Sequence, residues 1–416
     1  VVVAVLITRP DAEHELRALA VGLVDRLAVL DARVHALERE KAGLKRKLIS
    51  SAATGQSGGG FFDVPRTKHE WKLAGDASCQ PETLWLYDVR VDDAVVLEGR
   101  QGENFLDAYS LLGEMPDYFA AIEALNAIPA RGQAGGQGVP EASIVIPVYG
   151  QLGYTLNAID SLLRHASRYR FEIIIIDDAS PDETALFLPL LQGIIYHAQP
   201  QNTGFINSCN TGAAMARGQY VVMLNNDTRV VQGWLDAMIG SFSRWPHAGI
   251  VGSKLHYPDG SLQEAGGIVW RDGSAWNYGR GDDPNRPQYS YARQVDYISG
   301  CSIALPIALW NQLGGFDTYF NPAYCEDVDL AFRVRQAGYQ VWFQPQSRIV
   351  HYEGKTSGTD TGGGTKAYQL INTKQLFLRW REALSHHRNN AEAPYFERER
   401  GVHKRILVVD VSVPTP

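Results

Sequence analysis

Cysteine is scarce in this chain. Four thiols, Cys79, Cys209, Cys301 and Cys325, are scattered through 416 residues without the paired spacing of a metal finger. That excludes a disulfide-framed scaffold and fits reduced thiols in a cytoplasmic protein. No apolar run approaches the roughly 18 residues of a membrane-spanning helix, so no transmembrane segment is expected. The opening Val-Val-Val-Ala-Val-Leu-Ile lacks a basic flank and is too short for a signal peptide. There is no long basic run and the formal net charge is -7, which argues against nucleic acid as a partner. The first residue is not methionine, and the chain closes on an apolar strand-like run with nothing after it; both suggest a fragment of a longer protein. What is present, 45% hydrophobic and 20% charged residues, is the composition of folded domains. The length suggests two or three of them.

Taken in order, residues 1–10 read as the tail of a preceding segment, with one buried strand at 1–8. Leu16, Leu23, Leu30, Leu37 and Leu44 then recur every seven residues, with Ala20, Leu27, Val34, Lys41 and Leu48 in the companion position. This heptad seam predicts a coiled coil over 11–49 and hence a homo-oligomer, with Lys41 lowering stability and selecting register. Residues 50–60 are a Ser/Gly-rich linker. Residues 61–131 form a small accessory region, either a separate domain or an extension of the next one. It has strand signals at Leu84 and Val95 and helical turns at 105–112 and 118–125. Residues 132–140 are a second linker.

From Ser143 strands alternate with helices, the pattern of an α/β sheet. Val221-Val-Met-Leu224 reads as a buried strand that ends in Asn225, Asn226 and Asp227. Ligands collect at the carboxyl ends of such strands. A carboxylate there suits Mg²⁺ or Mn²⁺ shared with a substrate diphosphate; an Asx turn closing the strand is the alternative. Phe171-Glu-Ile-Ile-Ile-Ile176 closes in the same way in Asp177 and Asp178, for which turn formation and helix capping are alternatives to ligand binding. Trp270 and Trp276 lie in the Gly-rich stretch 266–281, which reads as loop; their rings either face sugar or pack beneath the loop. Gly354-Lys-Thr is no phosphate-binding P-loop, because Ile349 stands where that motif needs glycine. Lys355 to Gly364 reads as a mobile loop that closes over a diphosphate.

Five stretches in order, Ser143-Ile-Val-Ile-Pro-Val-Tyr149, Asp177-Asp178-Ala-Ser, Asn202-Thr-Gly to Asn210, Leu-Asn-Asn-Asp227 and Glu326-Asp327-Val-Asp-Leu, resemble a family 2 inverting glycosyltransferase. The resemblance implies a GT-A type Rossmann-like mixed α/β sheet flanked by helices, over residues 141–385, with the coiled-coil helix before it. Residues 386–416 would be a linker and the first strand of a truncated following domain. It implies a nucleotide diphosphate sugar donor, UDP or dTDP, held by Pro147, Tyr149, Asp178, Asn202 and Asn226. It implies a metal, Mg²⁺ or Mn²⁺, at Asp227 and His351; a strand-end histidine without a ligand is the alternative for His351. The family often has Asp-x-Asp at the metal, and Asn225 stands in the first place here. Asp327 would be the catalytic base, with Glu326, Trp270 and Trp276 on the side of a glycan or lipid-linked glycan acceptor. Asp327 shares a helix face with Leu330, Ala331 and Val334, whereas Asp329 lies four residues before Arg333 as an ion-pair partner. The expected place of work is the cytoplasm, at the inner face of the cell membrane. The rival readings are a coiled-coil scaffold with an inactive nucleotide- or glycan-binding domain, and nucleotidyl transfer.

Overall fold

The computed structural model describes residues 69–71, 84–86, 89–91, 94–96, 118–128, 138–353 and 367–402. The expected strand at 1–8, coiled coil at 11–49, linker at 50–60, turns at 105–112, most of the linker at 132–140, loop at 355–364 and final strand lie outside these residues. Two short hairpins come first: β1 (His69–Trp71) with β2 (Leu84–Leu86), and β3 (Val89–Val91) with β4 (Ala94–Val96). Helix α1 (Tyr118–Asn126) buries Ile122 and Leu125 in the same core as Leu163 and Leu188. Asn126 clamps it from outside, donating to Leu190 O and accepting from Gln192 N. The end of the 61–131 region is thus an extension packed on the main body.

The body runs β5 (Ala142–Val148), α2 (Leu152–Arg164), β6 (Phe171–Asp177), α3 (Thr184–Phe187), β7 (Ile195–Ala198), α4 (Phe205–Met215), β8 (Tyr220–Leu224) and β9 (Thr228–Val230). It continues α5 (Trp234–Arg244), β10 (Ala248–His256), β11 (Leu262–Glu264), β12 (Gly267–Val269), β13 (Ala275–Asn277), β14 (Arg293–Gln294) and β15 (Ser302–Pro306). It closes with α6 (Ile307–Leu313), α7 (Glu326–Gln336), β16 (Gln340–His351), α8 (Ala367–Leu384) and α9 (Pro394–Glu397). Among the described residues no helix is long and apolar enough to cross a membrane.

One mixed sheet has the order β14-β16-β10-β15-β8-β5-β6-β7, with β11 on β10 and β9 on β16. Strands β5 to β8 are parallel, while β15 runs antiparallel between β8 and β10. The strands read as unbroken apolar runs because both faces are covered. Ile144, Ile146, Ile173, Ile175, Val222 and Leu224 point to a core shared with α2 and α5. Val145, Ile174, Ile176, Val221 and Met223 point to the other, shared with α4, α6 and α7. Truncating any of these buried Leu or Ile side chains to Ala costs about 2–5 kcal/mol. Helix α4 is built of small residues because it rides close to the sheet. A Cβ on Gly212 would stand 2.3 Å from Val145 Cγ1.

The stretch 266–281 is not the loop its glycines suggest. Strands β12 and β13 pair as a hairpin. Asp272 closes its turn by accepting from Ser274 N and Oγ, with Gly273 at φ +80. Residues 386–402, read as linker, also belong to the body. Arg271 donates to His387 O, Arg293 to Arg398 O and Arg398 to Tyr278 Oη, while Arg400 pairs with the buried Asp296.

Candidate active site

In the parallel half the spatial order is β7-β6-β5-β8: the chain steps outward from β5 to β6 and β7, then returns to lay β8 on the other side of β5. The loops leaving those two strands diverge there and open a crevice, the usual ligand position in such sheets. A cavity of about 1100 Å³ fills it. Pro147, Tyr149, Asp178, Asn202, Asn226, Asp227, Trp276, Glu326, Asp327 and His351 all line it, so ten of the expected site residues meet in one place.

On the β5–β6 side, Tyr149 is 41% exposed, an open ring face at the rim. Asp178 is buried and accepts from Thr203 N and Oγ1 and Gln199 Nε2 at Oδ1, and from Gly204 N at Oδ2. It therefore fixes the turn before α4, and Oδ2 keeps room for one more donor. Asp177 does the other structural work, accepting from Ser180 N and Tyr196 Oη. Asn226 Nδ2 ties the end of β8 to Gly150 O and Thr155 Oγ1. Asn210 makes a two-way clamp on Phe316 and does not line the cavity.

The β9–β16 pairing sets Thr228 opposite His351 and brings Asp227 to the histidine. Asp227 Oδ1 and His351 Nε2 are 3.2 Å apart, and His351 Nδ1 is 2.9 Å from Gln263 Oε1. Burial works against charge on His351, but Cys301 and Asp227 beside it hold its pKa well above the ordinary range. Asn225 N donates to Cys301 O, while Asn225 Oδ1 is buried with no hydrogen-bond partner. Gln263 Nε2, Tyr257 Oη and Arg280 Nη2 all donate to Glu353 Oε2, at 3.2, 2.9 and 2.7 Å. Among the described residues no three His, Cys, Asp or Glu side chains converge as a closed metal cage. One carboxylate, one imidazole and an orphaned amide oxygen on the same cavity do fit a divalent cation whose other ligands come from a diphosphate.

Across the cavity, α7 begins with Glu326 and Asp327. Asp327 Oδ2 accepts from Gly300 N at 3.0 Å and Oδ1 from Val328 N at 2.7 Å. Burial raises its pKa against these two bonds. Glu326 is pushed up to about 8 by burial and then by Asp327, and its Oε2 has no partner. Two adjacent carboxyls so placed titrate as a pair and hold a proton between them near neutrality. Asp329 is excluded as a base. It is fully buried and held by Arg333, Arg379 and Trp380 Nε1, the first at 2.6 Å.

Trp270 corrects an expectation. It is fully buried, touches Trp276 edge-to-face and does not line the cavity. Trp270 directly follows β12 and buries its ring, while Trp276 on β13 stays 38% exposed at the cavity wall. Sequence reasoning missed Gln263, Glu264, Arg280, Gly300, Cys301 and Glu353. Glu264 is fully buried, accepts from Ser299 N, and is raised to about 8 by burial, a trend that Ser299 N opposes and Asp327 adds to. The one signal for it was a pair of polar residues, Gln263-Glu264, set between apolar neighbours.

A family model described as glycosyl transferase family 2 matches residues 143–303. The O-antigen biosynthesis protein RfbC of Myxococcus xanthus is 30% identical over 54% of this chain and 18% of its own. The N-acetylglucosaminyl-diphospho-decaprenol L-rhamnosyltransferase of Mycobacterium tuberculosis is 29% identical over 36% of this chain and 52% of its own. The chain thus spans only 18% and 52% of the length of these curated relatives. A solved structure of GalNAc-T7 with UDP, GalNAc and Mn²⁺ aligns at TM-score 0.47 and 17% identity, over 66% of this chain and 58% of that one.

Proposed function

Residues 143–303 are a glycosyl transferase family 2 domain, homologous to bacterial glycosyltransferases, and from that premise we propose that the cavity transfers a sugar, with inversion, from a UDP- or dTDP-sugar to a hydroxyl of a growing glycan. The observation that carries this reading is that Asp227, just after β8, and Asp327, at the start of α7, line one cavity. Tyr149 offers a face for the base, and the open lone pair of Asp178 Oδ2 accepts a base N–H, a group that uracil and thymine share. Asp227 and His351, with Asn225 Oδ1 beside them, would hold a divalent cation, which would supply charge neutralisation for a leaving diphosphate. Asp327 takes the proton of the acceptor hydroxyl while that oxygen bonds the anomeric carbon and the sugar–diphosphate bond breaks. Glu326, neutral near pH 7, donates a hydrogen bond to the acceptor, and Trp276 carries a sugar face.

The two named relatives serve O-antigen biosynthesis and rhamnosyl transfer to a lipid diphosphate sugar, which supports a lipid-linked glycan acceptor met at the inner face of the membrane. The test is release of nucleotide from UDP- and dTDP-sugars with and without Mn²⁺, in wild type and Asp227→Ala. Metal-dependent release that Asp227→Ala abolishes is expected. Nucleotide binding without release in any metal would favour the inactive scaffold instead.

A further inference from the structure

The two nitrogens of His351 face different partners, and the chain behind one of them dictates what the other can do. Glu353 Oε2 receives Arg280, Tyr257 and Gln263. A carboxylate can only accept, so the Gln263 atom turned to it must be the amide nitrogen. That leaves Gln263 Oε1, an acceptor, facing His351 Nδ1 at 2.9 Å. Nδ1 must then carry the hydrogen. In the neutral imidazole Nε2 is consequently bare, and its lone pair looks at Asp227 Oδ1 across 3.2 Å. Two acceptors at that distance repel unless a proton or a cation lies with them. Gln263 is 1% exposed, so water does not replace its bonds.

We propose that Gln263 is a positioning residue that fixes His351 as the Nδ1–H tautomer, and so makes the Asp227–His351 pair a cation site. The relay runs from Arg280 at the cavity wall through Glu353 and Gln263 to His351, and spans residues 263 to 353. His351 Nδ1–H donates to Gln263 Oε1 and Gln263 Nε2–H to Glu353 Oε2, the carboxylate on which Arg280 also converges from the other side. The inference rests on the metal reading given above. It adds that affinity for the cation depends on a residue that does not touch it, as outer-shell partners of histidine ligands do.

The experiment is a titration of the full chain with Mn²⁺ at saturating UDP, read by the electron paramagnetic resonance of free Mn²⁺. Gln263→Leu should weaken Mn²⁺ binding by about 10–100-fold and leave metal-free UDP affinity unchanged. ¹⁵N NMR of the same complex with diamagnetic Mg²⁺ should show His351 protonated at Nδ1 in wild type and lose that signature in Gln263→Leu, a change that mere loss of packing would not produce. If Gln263→Leu binds Mn²⁺ as wild type does while Asp227→Ala does not, the inference falls and the metal reading stands. If wild type holds no Mn²⁺ with UDP or dTDP, both fall. Should Gln263→Leu fail to fold, the wild-type spectrum decides: His351 protonated at Nδ1 supports the relay, and His351 protonated at Nε2 alone overturns it.

Discussion

Asp327→Asn separates chemistry from binding, and the structure sets what it should cost on each count. Both carboxylate oxygens accept a backbone N–H, from Gly300 at 3.0 Å and from Val328 at 2.7 Å. An amide has one oxygen. Whichever way it turns, its NH₂ faces one of those donors, and a buried unpaired N–H costs about 1–3 kcal/mol. Replacing a carboxylate that burial disfavours offsets part of that, so the fold should lose no more than about 3 kcal/mol. The amide cannot take a proton, and loss of a general base costs about 10²–10⁴ in rate. At 1.36 kcal/mol per tenfold, that is about 3–5 kcal/mol of barrier. The assay is nucleotide release under single-turnover conditions beside calorimetry of donor and metal binding. Turnover should fall by that factor while donor affinity holds. Glu326→Gln is the control. The native group is already mostly neutral at pH 7 and its Oε2 is unpartnered, so the amide should be milder. Near wild-type turnover in Asp327→Asn would place the base elsewhere.

Stability should decline as pH rises from about 6.5 to 8. Glu264 and Glu326 both titrate near 8 in the fold against an ordinary 4.5, so the folded chain holds protons that the unfolded chain releases. The buried His165 and His256, lowered by burial, act only below that window. Urea titrations should show the decline, with a shallower slope in Glu326→Gln; a flat profile would mean these carboxyls reach water. Gly212→Ala should destabilise by about 1–3 kcal/mol through overpacking, since its Cβ would overlap Val145; an unchanged denaturation midpoint would contradict the close helix–sheet approach. Ending the chain at Ser385 removes the partners of Arg271, Arg293 and Asp296. It should lower the melting temperature and expose Trp270 to a collisional quencher, and an unaltered melt would return those residues to the status of linker.

The parallel half of the sheet was readable because each strand is an unbroken apolar run that ends in polar residues, and chain order places those ends together. The same logic pointed to Asp227 and Asp178, which do line one cavity, whereas Glu326 and Asp327 begin a helix and stood out only through the resemblance. It failed at Trp270, where a hairpin is decided by partners far along the chain. Gly267 accepts the Tyr297 ring where a Cβ would lie 2.0 Å from it, and Val269 N donates to Asp296. Neither contact leaves a local pattern. Gln263 and His351 are 88 positions apart, and nothing in either neighbourhood names the other. The 386–402 segment was misread because it docks through arginines rather than an apolar stripe, and a polar stretch held by buried ion pairs looks like solvent-facing chain.

The antiparallel strand β15 between β8 and β10 divides the catalytic inventory into two inheritable blocks. Everything proposed to hold the nucleotide comes from residues 147–226, while the base, its neighbour and the acceptor wall come from residues beyond 262. A graft of a relative's residues 143–226 into this chain should carry over that relative's nucleotide preference and leave the acceptor preference alone; measured preferences that move together would refute the division. The two blocks meet along β8 and β15, in the Asn210–Phe316 clamp, and at the cavity in the Asp227–His351 pair. Asp227 and His351 meet because Thr228 pairs with His351 across β9 and β16, and a one-residue slip in that register would put the imidazole on the other face of the sheet.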